Sequence, residues 1–407
     1  MTRLDMFPPT RQAALARLDA TRPNDYARSR NAIDGAVTCL SPYITHGLLS
    51  LPEVLAGVTA KHPLDIQHKL VFELGWREYF RHVWAFRGNE IFESLHEGPL
   101  PRASYADTLP CDIRQAATDV PVIDMAVRTL YETGYLHNHA RMWLASYVVH
   151  VRKVDWRIAA DWLYGHLLDG DLASNHLSWQ WVAGTGSKKP YLFNAANVAR
   201  YAPAPWHSPG SVIDQSYEAL DRLALEPVGQ ATNTHHTLAH NALIEPPFYN
   251  KPHPDLGFSK PDPSAVAGRD VWLVHPWNLS DLPTFLPANT LVVGVFVNDF
   301  HRAWPWNERR WRFVAERMAE LAAVHWQGDA AEIGAALQSA NRVRSLNDPH
   351  LSTWLPGLAV CDAAVELFPT VPRRCDSFSQ WWTRTLRGVT SVSDLLTARQ
   401  APARWMD

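Results

Sequence analysis

The sequence predicts a helical N-terminal half followed by a C-terminal α/β domain built on a parallel, Rossmann-like sheet. Three observations carry that expectation. Apolar residues recur at helical spacing through the first 200 residues, prolines crowd residues 202–268, and β-branched runs alternate with amphipathic stretches after Arg269. The boundaries fall at 1–205 for the helical domain, 206–268 for a Pro-rich linker and 269–400 for the α/β domain.

The longest helical signal spans residues 121–152, with Val122, Met125, Ala126, Leu130, Met142, Leu144, Ala145, Val148 and Val149 as buried candidates. It breaks around Gly134, so two helices meet there at a turn. Shorter helical patterns occupy 54–55 and 70–80, and the linker holds one helical piece near 217–225. Beyond it, VWLVHPWNL (271–279) and TLVVGVFV (290–297) read as strands. Residues 307–323 form an amphipathic helix, 324–329 a strand and turn, and 330–340 another helix. Neither a GxGxxG nor a P-loop occurs, so no phosphate-cradling motif marks this half.

Bulk properties narrow the function classes. At 407 residues, with 19% charged and 46% hydrophobic residues, the chain suits two folded domains. No apolar run is long enough to span a bilayer, and the start MTRLDMFPPTRQ lacks the apolar core of a secretory signal. Cys39, Cys111, Cys361 and Cys375 form no CxxC pair, which argues for free thiols in a reducing cytoplasm and against a disulfide framework, zinc or iron–sulfur sites; a monomer is expected. His236 and His240 have metal-helix spacing beside His235, but without an acidic or Cys partner they read as a polar loop, so no metal site is expected. The net charge of −3 leaves nucleic-acid binding to a local patch. Eighteen tryptophans exceed what a core needs, so some are candidates for stacking or redox roles.

Chemistry concentrates in residues 155–194. Asp169 and Asp171 flank Gly170 after an apolar helix, Asn175 follows, then Trp179 and Trp181 and a Gly-Thr-Gly turn. Singly, each residue suits a capped helix with core tryptophans. In combination, the order resembles the DGDLAxN–W–W–xxTG pattern of the DNA photolyase and cryptochrome family, and TGYLHNHARM (133–142) resembles its TGWxHNRxRM. ELGWREYFRH (73–82) resembles the family's ELxWREFxRH. YARSRNAIDGAVTCLSPYITHGLLS (26–50) resembles its segment for the FAD phosphates and ribityl chain, with Val37 where a threonine is usual.

The resemblance implies FAD as cofactor, bound by Tyr26, Arg30, Thr38, Ser41, Asn138, Arg141, Asp169, Gly170, Asp171 and Asn175. Arg141 would pair with Asp169 beside the isoalloxazine, where a fixed positive charge favours an anionic reduced flavin. Asn175 takes the place facing flavin N5, and its identity as Asn favours repair over signalling. Ser41-Pro42 reads locally as the N-cap and N1 of a helix. Glu73 would hydrogen-bond damaged bases and supply a proton, Trp76 would stack on a flipped dimer, and Trp181 would form an opposite wall. Asn138 and Met142 match the cyclobutane-dimer pattern, whereas enzymes for the (6-4) photoproduct carry histidines there; His137 and His139 read as structural or DNA-facing.

Trp179 and Trp156 match the proximal and middle members of the family's electron-transfer chain. The distal place falls near Ala103, with Tyr105 and Trp84 as aromatic alternatives. Arg77, Arg81, Arg152, Lys153, Lys188 and Lys189 are candidates for a DNA-facing basic patch. In the family an α/β antenna domain comes first; here VWLVHPWNL and VHWQGDAAEIGAAL resemble its first strand and its GDP unit, so the order is permuted. Val274 and His275 replace the FR of the strand motif, which counts against a second, antenna chromophore and leaves a structural role for this domain.

The expected activity is therefore that of a deoxyribodipyrimidine photolyase: light-driven repair of cyclobutane pyrimidine dimers by reduced FAD. YLFNAAN (191–197) departs from the family's FNP, so single-stranded DNA stands beside double-stranded DNA as the partner. The alternatives are a cryptochrome-like blue-light sensor that binds FAD without repair, and a flavin-binding interaction protein whose α/β domain docks a partner.

Overall fold

The computed structural model describes residues 6–227 and 242–397, so His235, His236 and His240 lie outside the described residues. The chain forms two compact units, interleaved in sequence. One comprises Met1–Met6, Asn24–Val37 and Val83–Pro246; the other comprises Phe7–Pro23, Thr38–His82 and Pro247–Asp407.

The first unit is helical. Its helices start and stop where side chains satisfy the free ends of the backbone. Helix Pro121–Thr133 has proline in its first turn and ends on Gly134 at φ 69°, a left-handed conformation that glycine adopts without a Cβ clash. Helix Asn138–Ser146 follows the predicted break and runs into a π-helical turn, Tyr147–Val151. Helices Trp156–His166 and Leu172–Ala183 are capped by Asp155 and Asp171, and helix Tyr217–Leu225 by Ser216.

Two polar side chains, the buried Lys153 and the half-buried Glu245, tie distant segments onto this unit. Lys153 donates through Nζ to the carbonyls of Leu223 (2.7 Å) and Ala224 (2.9 Å), closing the C-terminal end of helix Tyr217–Leu225. Burial pushes the Lys153 ammonium down to about 8. Glu245 accepts from Trp162 Nε1 (2.8 Å), His166 Nε2 (3.2 Å) and Arg114 Nη1 (3.1 Å). Burial alone would raise its carboxyl, but those donors outweigh burial and leave it below the ordinary value.

The second unit carries the sheet. Seven strands occur among the described residues: β1 (Phe248–Tyr249), β2 (Asp270–Val274), β3 (Leu291–Val297), β4 (Trp306–Asn307), β5 (Val324–Gly328), β6 (Arg342–Leu346) and β7 (Val360–Asp362). Five of them form a sheet in the order β5-β3-β2-β6-β7, and β1 pairs with β4 in a separate ribbon. Every pairing in the five-stranded sheet is parallel, as the alternation with helices Glu308–Leu321 and Ala330–Leu337 requires. The predicted strand 271–279 stops at Val274, because Asn278 Oδ1 accepts from the His275 N–H and Asn278 Nδ2 donates to the Leu273 carbonyl, turning the chain.

Open sheets of this order bind ligands where neighbouring crossovers leave in opposite directions, at the carboxyl ends of β2 and β6. Here the chain's own side chains fill that place. His275 Nε2 donates to the Leu346 carbonyl (2.8 Å), and Trp277 lies flat on His350 with ring centroids 4.4 Å apart. His350 Nδ1 donates to Asp348 Oδ1 (2.6 Å), and Arg81 reaches Asp348 Oδ2 at 3.3 Å. Burial would raise the Asp348 carboxyl; Arg81 and His350 outweigh it and hold it at about 2.

A carboxyl lowered from 3.8 to about 2 contributes stability that is complete above pH 4 and lost as pH falls through 2. The contribution is about 2 kcal/mol. Asp348→Asn is therefore expected to lower the urea midpoint at pH 7, with the gap to wild type narrowing between pH 4 and 2. A gap independent of pH contradicts this assignment.

Candidate functional site

In the helical unit, two sequence motifs are joined by one backbone and one side-chain contact. The Leu168 N–H donates to the Gly134 carbonyl (2.8 Å), and Arg141 Nη2 reaches both Asp169 oxygens, at 2.9 and 2.7 Å. Arg141 Nε also donates to the Leu136 carbonyl (2.7 Å), so the guanidinium plane is fixed from two sides. Asp169 is only 6% exposed. His137 caps helix Asn138–Ser146 by accepting from the His139 N–H, and this start places Asn138, Arg141 and Met142 on one face. Asn138 is exposed, with Nδ2 3.6 Å from Met142 Sδ.

The turn after helix Trp156–His166 supplies the rest of the cluster. The Gly170 N–H donates to the Leu167 carbonyl at 3.3 Å, and Asp171 Oδ1 accepts from the Ser174 N–H at 2.8 Å. Asn175 Nδ2 donates to the Ala160 carbonyl (2.9 Å), pinning helix Leu172–Ala183 to its neighbour. His137 is buried beside this cluster; burial first, then His139 and Arg141, push it down to about 4, so it is neutral at physiological pH. The fixed cation of the cluster is Arg141.

Of the other predicted cofactor residues, Tyr26 and Arg30 belong to the same unit. Arg30 Nη1 donates to Asn31 Oδ1 (2.9 Å), and the neighbouring Asn31 carbonyl accepts from His139 Nδ1. His139 also stacks on Trp143 (5.6 Å, 9°) and Tyr201 (5.3 Å, 29°), which makes it structural. Thr38 and Ser41 belong to the second unit, as do Glu73, Trp76 and Arg77. Thr38 Oγ1 accepts from the Leu40 N–H at 3.4 Å. The cap expected at Ser41 is displaced by one residue. Leu40 is the N-cap of helix Ser41–Thr45, because its carbonyl already accepts from the Ile44 N–H, which puts Ser41 at N1 and Pro42 at N2.

Glu73, Trp76 and Arg77 lie on one face of helix Lys69–Arg87 at i, i+3 and i+4. Arg77 Nη2 donates to Thr45 Oγ1 (3.0 Å). Gly75 interrupts this helix at an intrinsic cost of about 1 kcal/mol against alanine. The reason is space: a Cβ there would come within 2.5 Å of Trp382 Cζ3.

The tryptophans divide sharply. Trp156 and Trp179 are buried, and Trp156 Nε1 donates to Ser94 Oγ (3.0 Å), a partner with no sequence signal. Trp84 is buried with Phe92 edge-on to it. Ala103 lies in a 3-10 turn; Tyr105 follows it, next to Ala106, which bridges Val154 at the approach to helix Trp156–His166. Trp181 is the one exposed tryptophan among the described residues, at 42%.

The basic-patch expectation needs correction. Arg152 is held by Asp112 (2.6 Å), Lys153 caps a helix from within the core, and Arg81 pairs with buried Asp348. Each of these charges is drawn inward by an acceptor that no local pattern reveals. Lys188 and Lys189, which follow the Gly-Thr-Gly turn, are exposed.

Residues 70–222 match the FAD binding domain of DNA photolyase. A deoxyribodipyrimidine photo-lyase from Synechococcus sp. is 32% identical over 47% of this chain and 43% of its own length. A cryptochrome DASH from Idiomarina loihiensis is 31% identical over 40% of this chain and 38% of its own. The chain thus spans less than half the length of these curated relatives. A Synechocystis cryptochrome structure is similar at 29% identity and a TM-score of 0.41, covering 47% of this chain and 43% of its own.

The donor set fits a flavin. It offers a fixed guanidinium, the exposed Asn138 amide and the start of helix Leu172–Ala183. Ser174 Oγ in that first turn is buried without a hydrogen-bond partner among the described residues, the kind of orphan that a bound polar group takes up. Arg141→Met leaves Asp169 buried and uncompensated. It is expected to destabilise the protein by about 3 kcal/mol and to release flavin on gel filtration. Wild-type stability with flavin retained contradicts the role given to the pair.

Proposed function

We propose that the chain is a member of the photolyase and cryptochrome family, whose FAD binding domain residues 70–222 match, and that it repairs cyclobutane pyrimidine dimers in DNA under blue light. The observation that carries this reading is Trp181. Every other tryptophan among the described residues is buried or half-buried, whereas this indole is 42% exposed next to an aromatic neighbour, Tyr191, with ring centroids 5.7 Å apart. An exposed indole is a stacking surface for unpaired bases. Lys188 and Lys189, close by in sequence, suit phosphate contacts.

When bound in its reduced form, FAD supplies the electron that opens the cyclobutane ring under light, and the electron returns once both carbon–carbon bonds have broken. The protein's own residues provide the setting. Arg141 keeps positive charge fixed beside the flavin place, and Asp169 orients it. Asn138, with Met142 next to it, would present its amide to flavin and lesion, and Asn175, tied to the Ala160 carbonyl, would face flavin N5. Glu73 hydrogen-bonds the damaged bases and supplies a proton, Trp76 stacks on them, and Arg77 stands beside both on the same helix face. Trp156 and Trp179, both buried, would relay electrons from an external reductant to the flavin. Tyr26, Arg30, Thr38, Ser41, Gly170 and Asp171 serve the remaining cofactor contacts.

The test is repair of a dimer-containing oligonucleotide by the purified protein under reducing light. Wild type is expected to restore the intact bases, and Glu73→Ala to lower the yield about tenfold, the worth of a charge-assisted hydrogen bond, with the flavin spectrum unchanged. Reduced, flavin-loaded wild type that leaves the dimer intact supports the sensor reading and overturns this one.

A further inference from the structure

Trp76 is half-buried, and the ring that covers it comes from far along the chain. Phe378, first residue of helix Phe378–Thr385, lies flat on the Trp76 indole with ring centroids 4.1 Å apart and planes within 12°. The seat is built for this approach. Gly75 leaves room for Trp382, and the nearest Phe378 atom stands 3.5 Å from where a Cβ would be. Phe72 meets Phe378 (4.6 Å) and Trp382 (5.1 Å) edge-on, and Tyr79 meets Phe378 edge-on at 5.7 Å.

Backbone contacts fix the preceding segment to the same helix. Glu78 accepts from the Leu367 N–H (2.5 Å) and the Phe368 N–H (2.9 Å), and His82 Nε2 accepts from the Cys375 N–H (3.1 Å). Helix Lys69–Arg87 therefore has two working faces. Phe72, Gly75, Tyr79 and His82 receive the C-terminal segment, while Glu73, Trp76, Arg77 and Phe80 follow the other line. Trp76 stands at the border, its indole contacted from the first face by Phe378.

We propose that Phe378 is a positioning residue for nucleobase stacking: it sets the plane of the Trp76 indole, so that a flipped base adds a third layer to a base–Trp76–Phe378 stack. This rests on the reading of Trp76 as a lesion contact. An indole fixed from one side loses little rotamer freedom when a base arrives on the other. A flat aromatic partner is what fixes a plane; an aliphatic side chain of similar volume fills the space without orienting the ring.

The test compares dark binding of a dimer-containing and an undamaged oligonucleotide to the flavin-loaded full chain. Phe378→Leu is expected to weaken dimer binding about 2- to 13-fold, the range for one aromatic pair, with undamaged-DNA affinity and flavin absorbance unchanged. Phe378→Tyr is expected to restore the preference, and this pattern holds even where Phe378→Ala fails to fold. A Phe378→Leu protein with wild-type preference, or a Tyr variant no better than Leu, overturns the positioning role alone. Wild type without any preference for the dimer overturns the repair reading, and the positioning role with it.

Discussion

The helical unit depends on one buried ion pair. Arg141 lies on helix Asn138–Ser146 and Asp169 in the turn before helix Leu172–Ala183, and their contact brings the 133–142 and 169–175 segments together at one place. A carboxylate as buried as Asp169 is tolerated because a guanidinium meets both of its oxygens. The second donor bond, from Arg141 Nε to the Leu136 carbonyl, removes the remaining freedom of the guanidinium plane. The pair thereby turns a stability requirement into a fixed local field. Asn138 and Asn175 lie in the first turns of helices Asn138–Ser146 and Leu172–Ala183.

Much of this was legible because it is local. Gly134 marks a break since a left-handed helix end suits glycine, and helix Tyr217–Leu225 emerges between prolines at the expected place. The strands at 270–274 and 291–297 are runs of buried β-branched residues, which is how central parallel strands read. β6 escaped notice because RVRSL looks polar; Arg344 is in fact buried and paired with Asp362 of β7 across the sheet edge. β7 is three residues long and carries no periodic signal.

The candidate site was legible as motif order, and less so as contact. Nothing near Lys153 shows that its ammonium closes a helix some 70 residues away, so it looked like a surface charge. Ser94, Glu245 and Phe378 share that character: each acts on a partner that local sequence does not reveal. The second unit repeats the lesson at the sheet. The crevice at the ends of β2 and β6, where such sheets hold ligands, is occupied by His275, Trp277, Asp348 and His350. The His275, Trp277, Asp348 and His350 contacts tie the ends of β2 and β6 to each other, the place where the strand motif lacks its FR.

The central proposal is that reduced flavin, excited by light, drives dimer splitting in this protein. The measurement that tests it most directly is an action spectrum for repair, taken with the reduced, flavin-loaded protein and a dimer-containing oligonucleotide. The account predicts a spectrum that superimposes on the absorption of reduced flavin. Absence of splitting at every wavelength the flavin absorbs contradicts it.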